Sequence, residues 1–401
     1  MSNTDWSIQT KLLHNSHKTD KETGGVSVPV HLSSTFHQSD FDQFGKYDYA
    51  RSGNPTREVL EKAIADLEGG TRGFAFSSGM SAISTAFLLL SKGDHVLVTE
   101  DVYGGTYRMV TEVLSRFGIE YTFVDMTDLH NVASKIRPNT KVIYLETPSN
   151  PLLKITDIQG IVKLAKANNC LTFLDNTFLT PALQRPLNLG VDVVLHSATK
   201  FLAGHSDVVA GLAAVNDEEL GNQLYKLQNS FGAILGAQDS WLVLRGLKTL
   251  HVRLKQSTES ALKLAAFLSR HPAVEEVYYP GLSFHPGCSV QRYQADGPGA
   301  VLSFRLSDED AVRKLVQNVQ LPVFAVSLGA VETILSYPAK MSHAAMPREE
   351  RYARGITDGL LRVSVGLEKA EDLIQDFGSA LDLLPKTKPL QYARVQGSGR
   401  R

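Results

Sequence analysis

Two stretches decide the fold: Leu171-Thr172-Phe173-Leu174-Asp175-Asn176-Thr177 and Val191-Asp192-Val193-Val194-Leu195-His196-Ser197-Ala198-Thr199-Lys200. Each opens on a short apolar run and closes on polar residues. Runs of this length read as buried strands, which puts Asp175 and the Ser197–Lys200 set at strand ends. The same grammar recurs upstream. Gly73–Phe76 leads into Ser77-Ser78-Gly79-Met80, and further apolar runs cover His95–Val98, Tyr121–Val124 and Val142–Leu145. Between them, helical spacing covers Arg57–Glu68, Ser81–Leu90, Thr106–Phe117 and Ile158–Ala167. Strands alternating with helices predict an α/β fold with a mostly parallel, doubly wound sheet. Ligands of such sheets bind beyond the carboxyl ends of the strands.

Outside that core the pattern changes. Residues 1–56 are rich in Ser, Thr, His, Gly and Asp and lack periodicity. They predict an arm with no core of its own, which must pack on something, such as a neighbouring subunit. Residues 57–250 form the predicted α/β domain. From 251 to 388 a long helix (His251–Arg270) precedes short strands at Val274–Tyr279, Ala300–Leu306 and Leu361–Val365. Helices at Asp308–Val316 and Ala370–Leu384 complete a smaller C-terminal α+β domain. The polar, Gly-rich residues 389–401 are expected to be disordered.

Composition bounds the function. The chain has 401 residues, 43% of them hydrophobic, and a formal net charge of −1. That length supports more than one domain. The charge gives no reason to expect nucleic acid or an anionic membrane as partner. Two cysteines, Cys170 and Cys288, fit a reducing compartment rather than a disulfide framework. No basic segment followed by an apolar run opens the chain, and the apolar stretch at Ala86–Leu90 is too short to span a bilayer. A cytoplasmic location is expected.

The strand-end residues carry the chemistry. An acid and a lysine flanked by hydroxyls, at neighbouring strand ends, are the parts a pyridoxal 5'-phosphate site needs. Lys200 would bond the aldehyde, Asp175 face the pyridine nitrogen, and Ser197 and Thr199 hold the phosphate. Ser77-Ser78-Gly79-Met80-Ser81 adds a close-approach glycine and a helix N-terminus suited to phosphate. Tyr103, in Asp101-Val102-Tyr103-Gly104-Gly105-Thr106, has a ring able to stack on a flat cofactor; alone it would read as a turn tyrosine. Asn150, in Thr147-Pro148-Ser149-Asn150-Pro151, is a neutral donor, though asparagine before proline is also ordinary turn chemistry. Other chemistries lack their signatures. Gly79-Met80-Ser81-Ala82-Ile83 fails the nucleophile elbow at its last position. G-x-G-x-x-G, the P-loop, H-E-x-x-H and C-x-x-C are all absent, which counts against a nicotinamide oxidoreductase and against metal catalysis.

From about Leu13 to Leu383 the chain resembles the Cys/Met-metabolism enzymes dependent on pyridoxal phosphate. These are cystathionine γ-synthase, γ-lyase and β-lyase, and methionine γ-lyase. The resemblance is carried by Tyr49-Ala50-Arg51-Ser52-Gly53-Asn54-Pro55-Thr56-Arg57, Asp101–Thr106, Glu146–Pro151, Asp175–Phe178 and His196–Asp207. Arg245–Leu250 and Leu361–Glu368 extend it. It implies the aminotransferase-like fold, fold type I. It also implies roles: Lys200 as the lysine bonded to the cofactor and Asp175 as the acid on the pyridine nitrogen. Tyr103 would be the stacking and catalytic tyrosine, and Gly79, Met80, Ser197 and Thr199 phosphate ligands. Tyr49 and Arg51 would be phosphate ligands donated by the adjacent subunit, so the site would need a homodimer; the family is usually a tetramer of two such dimers. Asn150, Ser327 and Arg362 would hold the α-carboxylate of an amino-acid substrate, a role suited to a bidentate guanidinium.

Two positions bear on the reaction. The γ-enzymes usually carry glutamate before the serine of their S-L-G-G motif; here Val326 precedes Ser327-Leu328-Gly329-Ala330. Methionine γ-lyases tolerate valine there but place a cysteine where this chain has Gly105. Phe324–Glu332 and Met341–Pro347 look most like cystathionine β-lyases of Gram-positive bacteria. The expected reaction is cleavage of the Cβ–S bond of cystathionine to homocysteine, pyruvate and ammonia, in methionine biosynthesis. The alternatives are γ-cleavage or γ-synthesis by the same family, or a regulatory module that has kept the fold.

Overall fold

A computed structural model describes residues 6–14 and 19–386. The expected tail at 389–401 lies outside the described residues. Two sheets organise the chain. The larger has seven strands: β1 (Arg72–Phe76), β2 (His95–Thr99), β3 (Glu120–Val124), β4 (Thr140–Glu146), β5 (Leu171–Asp175), β6 (Val193–Ser197) and β7 (Gly211–Val215). Their spatial order is β1-β7-β6-β5-β4-β2-β3. Pairing is parallel from β6 through β5, β4 and β2 to β3. Only β7 runs the other way, antiparallel to both β1 and β6. The carboxyl ends of the other strands therefore share one edge.

The sheet is covered on both faces, as a parallel sheet must be. Phe74, Phe76, Val96, Val98, Tyr144 and Phe173 pack in one apolar cluster. Leu97, Ile143, Leu145, Leu174 and Val194 pack in another. Alternation along each strand divides the clusters, and both are dry, which explains why these strands read as nearly continuous apolar runs.

The smaller sheet comprises β8 (Glu276–Tyr278), β9 (Val301–Arg305), β10 (Val323–Phe324), β11 (Ile334–Ser336) and β12 (Leu360–Ser364). Its order is β10-β11-β12-β9-β8. It packs, with the helices Leu250–Leu268 and Ala370–Leu381, around Phe304, Leu335, Val363 and Phe377. The helix predicted from Arg57 starts at Pro55, with Asn54 as its N-cap and proline at its first position, the arrangement a helix start favours. The predicted helix Thr106–Phe117 is broken. It runs as an α-turn over Gly104–Arg108, a π-helical turn over Met109–Val113 and a 3₁₀ turn over Leu114–Phe117. Between residue 19 and Asn54 regular structure is almost absent, and Phe41, Leu32 and Val26 stand in solvent. Among the described residues no helix is long and apolar enough to cross a membrane.

Candidate active site

A cavity of about 470 Å³ opens at the carboxyl edge of the larger sheet, between it and loops of the smaller sheet. Gly79, Met80, Tyr103, Asn150, Asp175, Ser197, Thr199, Lys200, Val326, Ser327 and Arg362 all line it. Of the residues expected to bind cofactor or substrate, Tyr49 and Arg51 do not. They lie together on the arm, with the Arg51 guanidinium 5.6 Å from the centre of the Tyr49 ring.

Register builds the floor. Asp175 ends β5 and is paired with Glu146, which ends β4; the neighbouring β6 ends at Ser197. Asp175 is 8% exposed and accepts the Thr177 N–H at 3.0 Å and the Thr177 hydroxyl at 2.5 Å. Burial pushes its carboxyl up, while the Thr177 bonds and His196 pull it back. Among the described residues no ion-pair partner of Asp175 is found. A buried carboxylate in that position calls for a cation.

Lys200 sits in the turn after β6 and donates to Ser327 Oγ at 2.5 Å. Burial, with the Arg362 guanidinium nearby, pulls its ammonium down to about 8, so a reactive neutral amine is accessible near physiological pH. Ser327 lies between β10 and β11 with φ +88°, a strained value for serine. Arg362, on β12, is 3% exposed. Its Nη1 donates to Asn150 Oδ1 at 2.9 Å, and Nη2 to the Ser327 carbonyl at 2.5 Å and Ser336 Oγ at 3.2 Å. Its Nε has no partner among the described residues. A buried guanidinium that keeps an unpartnered Nε–H beside a cavity has the chemistry to pair with a carboxylate.

At the other end, the helix Gly79–Phe87 presents its N-terminus, capped by Ser78, whose side chain accepts from Ser81 N–H. A Cβ on Gly79 would meet Ser197 Cβ at 2.8 Å, so only glycine lets these two segments close on each other. A Cβ on Gly105 would lie 2.4 Å from the Tyr103 ring and 2.7 Å from Met80 Sδ. A cysteine there would displace that ring.

The cavity also takes in Arg108, Glu146, Thr177, Met341 and Ser342, to which the sequence analysis gave no role. Glu146 had a signal, since it closes an apolar run as Asp175 does. Met341 and Ser342 lie in the Met341–Pro347 stretch that carries the resemblance, but only the fold brings them to this edge.

The parts fit pyridoxal phosphate: an amine of depressed pKa, an acid lacking its cation, a half-exposed aromatic ring, and a helix N-terminus beside small hydroxyls. Fold and site together define a fold type I enzyme that uses this cofactor. Comparison with known proteins narrows the class. The profile of the Cys/Met metabolism PLP-dependent enzymes matches residues 9–382, and the chain belongs to that family. It is 72% identical to a cystathionine β-lyase of Bacillus subtilis, over 95% of this chain and 98% of that one. To a cystathionine γ-lyase of the same organism it is 52% identical, over 93% and 99%. The cystathionine γ-synthase of Xanthomonas oryzae pv. oryzae, solved with cystathionine, superposes with a TM-score of 0.92 at 43% identity, covering 94% of this chain and 98% of that one.

Proposed function

We propose that the protein is a cystathionine β-lyase, cleaving cystathionine to homocysteine, pyruvate and ammonia. The observation that carries this reading is the identity of 72% to a β-lyase against 52% to a γ-lyase from one organism. Valine at position 326, where γ-enzymes usually carry glutamate, agrees with it.

Pyridoxal phosphate, when bound, supplies an electron sink for negative charge developing at the substrate Cα. The chain's own groups do the rest. Arg362, with Asn150 and Ser327, holds the α-carboxylate and so aims the Cα–H at Lys200. Lys200, neutral in part at pH near 8, removes that proton. Asp175 stays ionised against the cationic ring nitrogen. Lys200 or Tyr103 protonates the departing sulfur. Gly79, Met80, Ser197 and Thr199 take the phosphate.

Tyr49 and Arg51 are read as completing the phosphate site of a second copy. Supporting this, they lie outside their own chain's cavity, on an arm whose apolar residues are exposed. The working form is then a homo-oligomer, a tetramer of two such dimers in this reading. The arm over 1–56, the cofactor-binding domain over 57–250 and the smaller domain over 251–388 are its functional units. Two free thiols, Cys170 and Cys288, suit the cytoplasm.

The test is product analysis with cystathionine and the holoenzyme. Pyruvate and homocysteine in equal amounts support the reading. Mainly 2-oxobutyrate and cysteine would replace it with γ-cleavage.

A further inference from the structure

The peptide joining Val102 to Tyr103 is gripped on both sides. Its N–H donates to Glu146 Oε2 at 3.0 Å. Its carbonyl accepts from His343 Nε2 at 3.3 Å. A carbonyl only accepts, so Nε2 carries a proton, and Nδ1 is left to accept the Ser342 hydroxyl at 2.9 Å. The next residue presses on the same segment: a Cβ on Gly104 would lie 1.8 Å from the Ser342 carbonyl oxygen. The Tyr103 backbone is thus fixed while its ring, 38% exposed, faces the cavity.

Both gripping side chains are titratable and buried, Glu146 at 4% and His343 at 0% exposure. Neither has an ion-pair partner among the described residues. Around Glu146 stand Asp175 from β5, Asp101 from the turn after β2, Tyr144 from its own strand and Arg362 from β12. The β4–β5 register places the two carboxyls side by side on one face. Two carboxylates in one dry site cannot both ionise cheaply. Arg362 offsets the conflict only in part: it attracts Glu146 through space, less than burial and Asp175 disfavour its charge, and its Nη donors go to Asn150, Ser327 and Ser336. Burial and Asp175 push the Glu146 carboxyl well above the usual range. His343 faces Arg362, Arg351 and the Val102 and Asn150 backbone, and burial pulls it down to about 4.

We propose that Glu146 and His343 form an uncharged clamp on the Val102–Tyr103 peptide, an un-ionised carboxylic acid on one side and an un-ionised imidazole on the other, which sets the position of the Tyr103 ring. Both are positioning residues. The absence of charge is what the site needs. Asp175 must be the acid that stays ionised, and an anionic Glu146 would repel a carboxylate bound at Arg362. The clamp rests on the pyridoxal phosphate reading of the cavity.

Glu146→Gln and Glu146→Ala test it. Glutamine keeps the acceptor and the absence of charge; alanine leaves a buried N–H unpaired. In the holoenzyme, Glu146→Ala lowers kcat about tenfold, the rate equivalent of one hydrogen bond. It also alters the visible circular dichroism of the cofactor as Tyr103→Ala does. Glu146→Gln restores both, and His343→Gln restores what His343→Ala loses. A substrate-free readout accompanies these. An acid whose folded pKa is raised stays protonated in the folded chain while the unfolded chain releases its proton near about pH 4.3. Stability is then lost as pH rises above that value, and glutamine removes the loss. The melting-temperature advantage of Glu146→Gln over wild type therefore grows from about pH 5 to about pH 8. A flat or shrinking difference, or a Glu146→Gln enzyme as impaired as Glu146→Ala, overturns the clamp. Failure of the β-lyase reading would appear instead in the products, which the melting comparison does not involve.

Discussion

Replacing Arg362 by lysine isolates the fork geometry of the carboxylate receptor from its charge. The guanidinium spans Asn150 on one side and the Ser327 carbonyl and Ser336 hydroxyl on the other. A lysine ammonium keeps the charge but is a compact point on a flexible stem, and cannot reach both sides while presenting two parallel donors. At least one charge-assisted hydrogen bond to the substrate carboxylate is lost, about 1.5–3 kcal/mol, or roughly 10- to 150-fold in kcat/KM. Carboxylate binding is shared by ground and transition states, so most of the loss falls on KM. Arg362→Ala removes the charge as well and leaves Asn150 and Ser327 acceptors dry; it should fall at least about tenfold below Arg362→Lys. The assay is pyruvate release over a range of cystathionine concentrations, with thermal melts to confirm folding. Arg362→Lys with kcat/KM within about twofold of wild type, far inside the range expected for a lost charged bond, would refute the receptor.

Further outcomes follow from the same geometry. Lys200→Ala should lose on the order of 10²–10⁴-fold from acid–base catalysis alone, and more from the lost covalent role; substantial residual lyase turnover would contradict its assignment. In cofactor-free protein the Lys200 ammonium, pulled to about 8, must lose its proton before it can attack an aldehyde. The rate of cofactor uptake should therefore rise with pH and level off above that value, and an inflection near that of an ordinary lysine would refute the depressed pKa. Arg51→Ala and Lys200→Ala, each impaired alone, should recover activity when mixed and allowed to exchange subunits, because one composite site is then intact. No recovery despite proven exchange would mean the arm serves its own chain. Val326→Glu should shift products toward γ-cleavage or γ-replacement. Val326 is 64% exposed, so the new carboxylate stays hydrated, and a general loss of rate without that shift would argue that position 326 does not select the reaction.

Much of this site was legible because strand ends combine two readable signals, a buried apolar run and the polar residue that stops it. Asp175 and Lys200 follow from that rule, and the helix over Ile158–Ala167 has the predicted bounds. The reversed strand β7 was not legible. Gly211-Leu212-Ala213-Ala214-Val215 is wholly buried, and a short apolar run without alternation does not distinguish strand from helix or give direction. The helices Glu218–Phe231 and Ala237–Leu247 were likewise unassigned, although Asp217 caps the first and Gly232 ends it in the left-handed conformation. The break after Arg108 follows no proline or glycine within the π-helical turn. His343 stands in the Met341–Pro347 stretch that carries the resemblance, but its contact was not readable, since its partner Val102 lies far away in sequence and meets it only in the fold.

The central claim is that one sheet edge assembles a pyridoxal phosphate site around Lys200. Borohydride reduction of the holoenzyme, followed by digestion and mass analysis, tests it most directly. The yellow protein should bleach, with the cofactor fixed on the single peptide carrying Lys200. Colourless protein that takes up no cofactor, or cofactor fixed on another lysine, would contradict it.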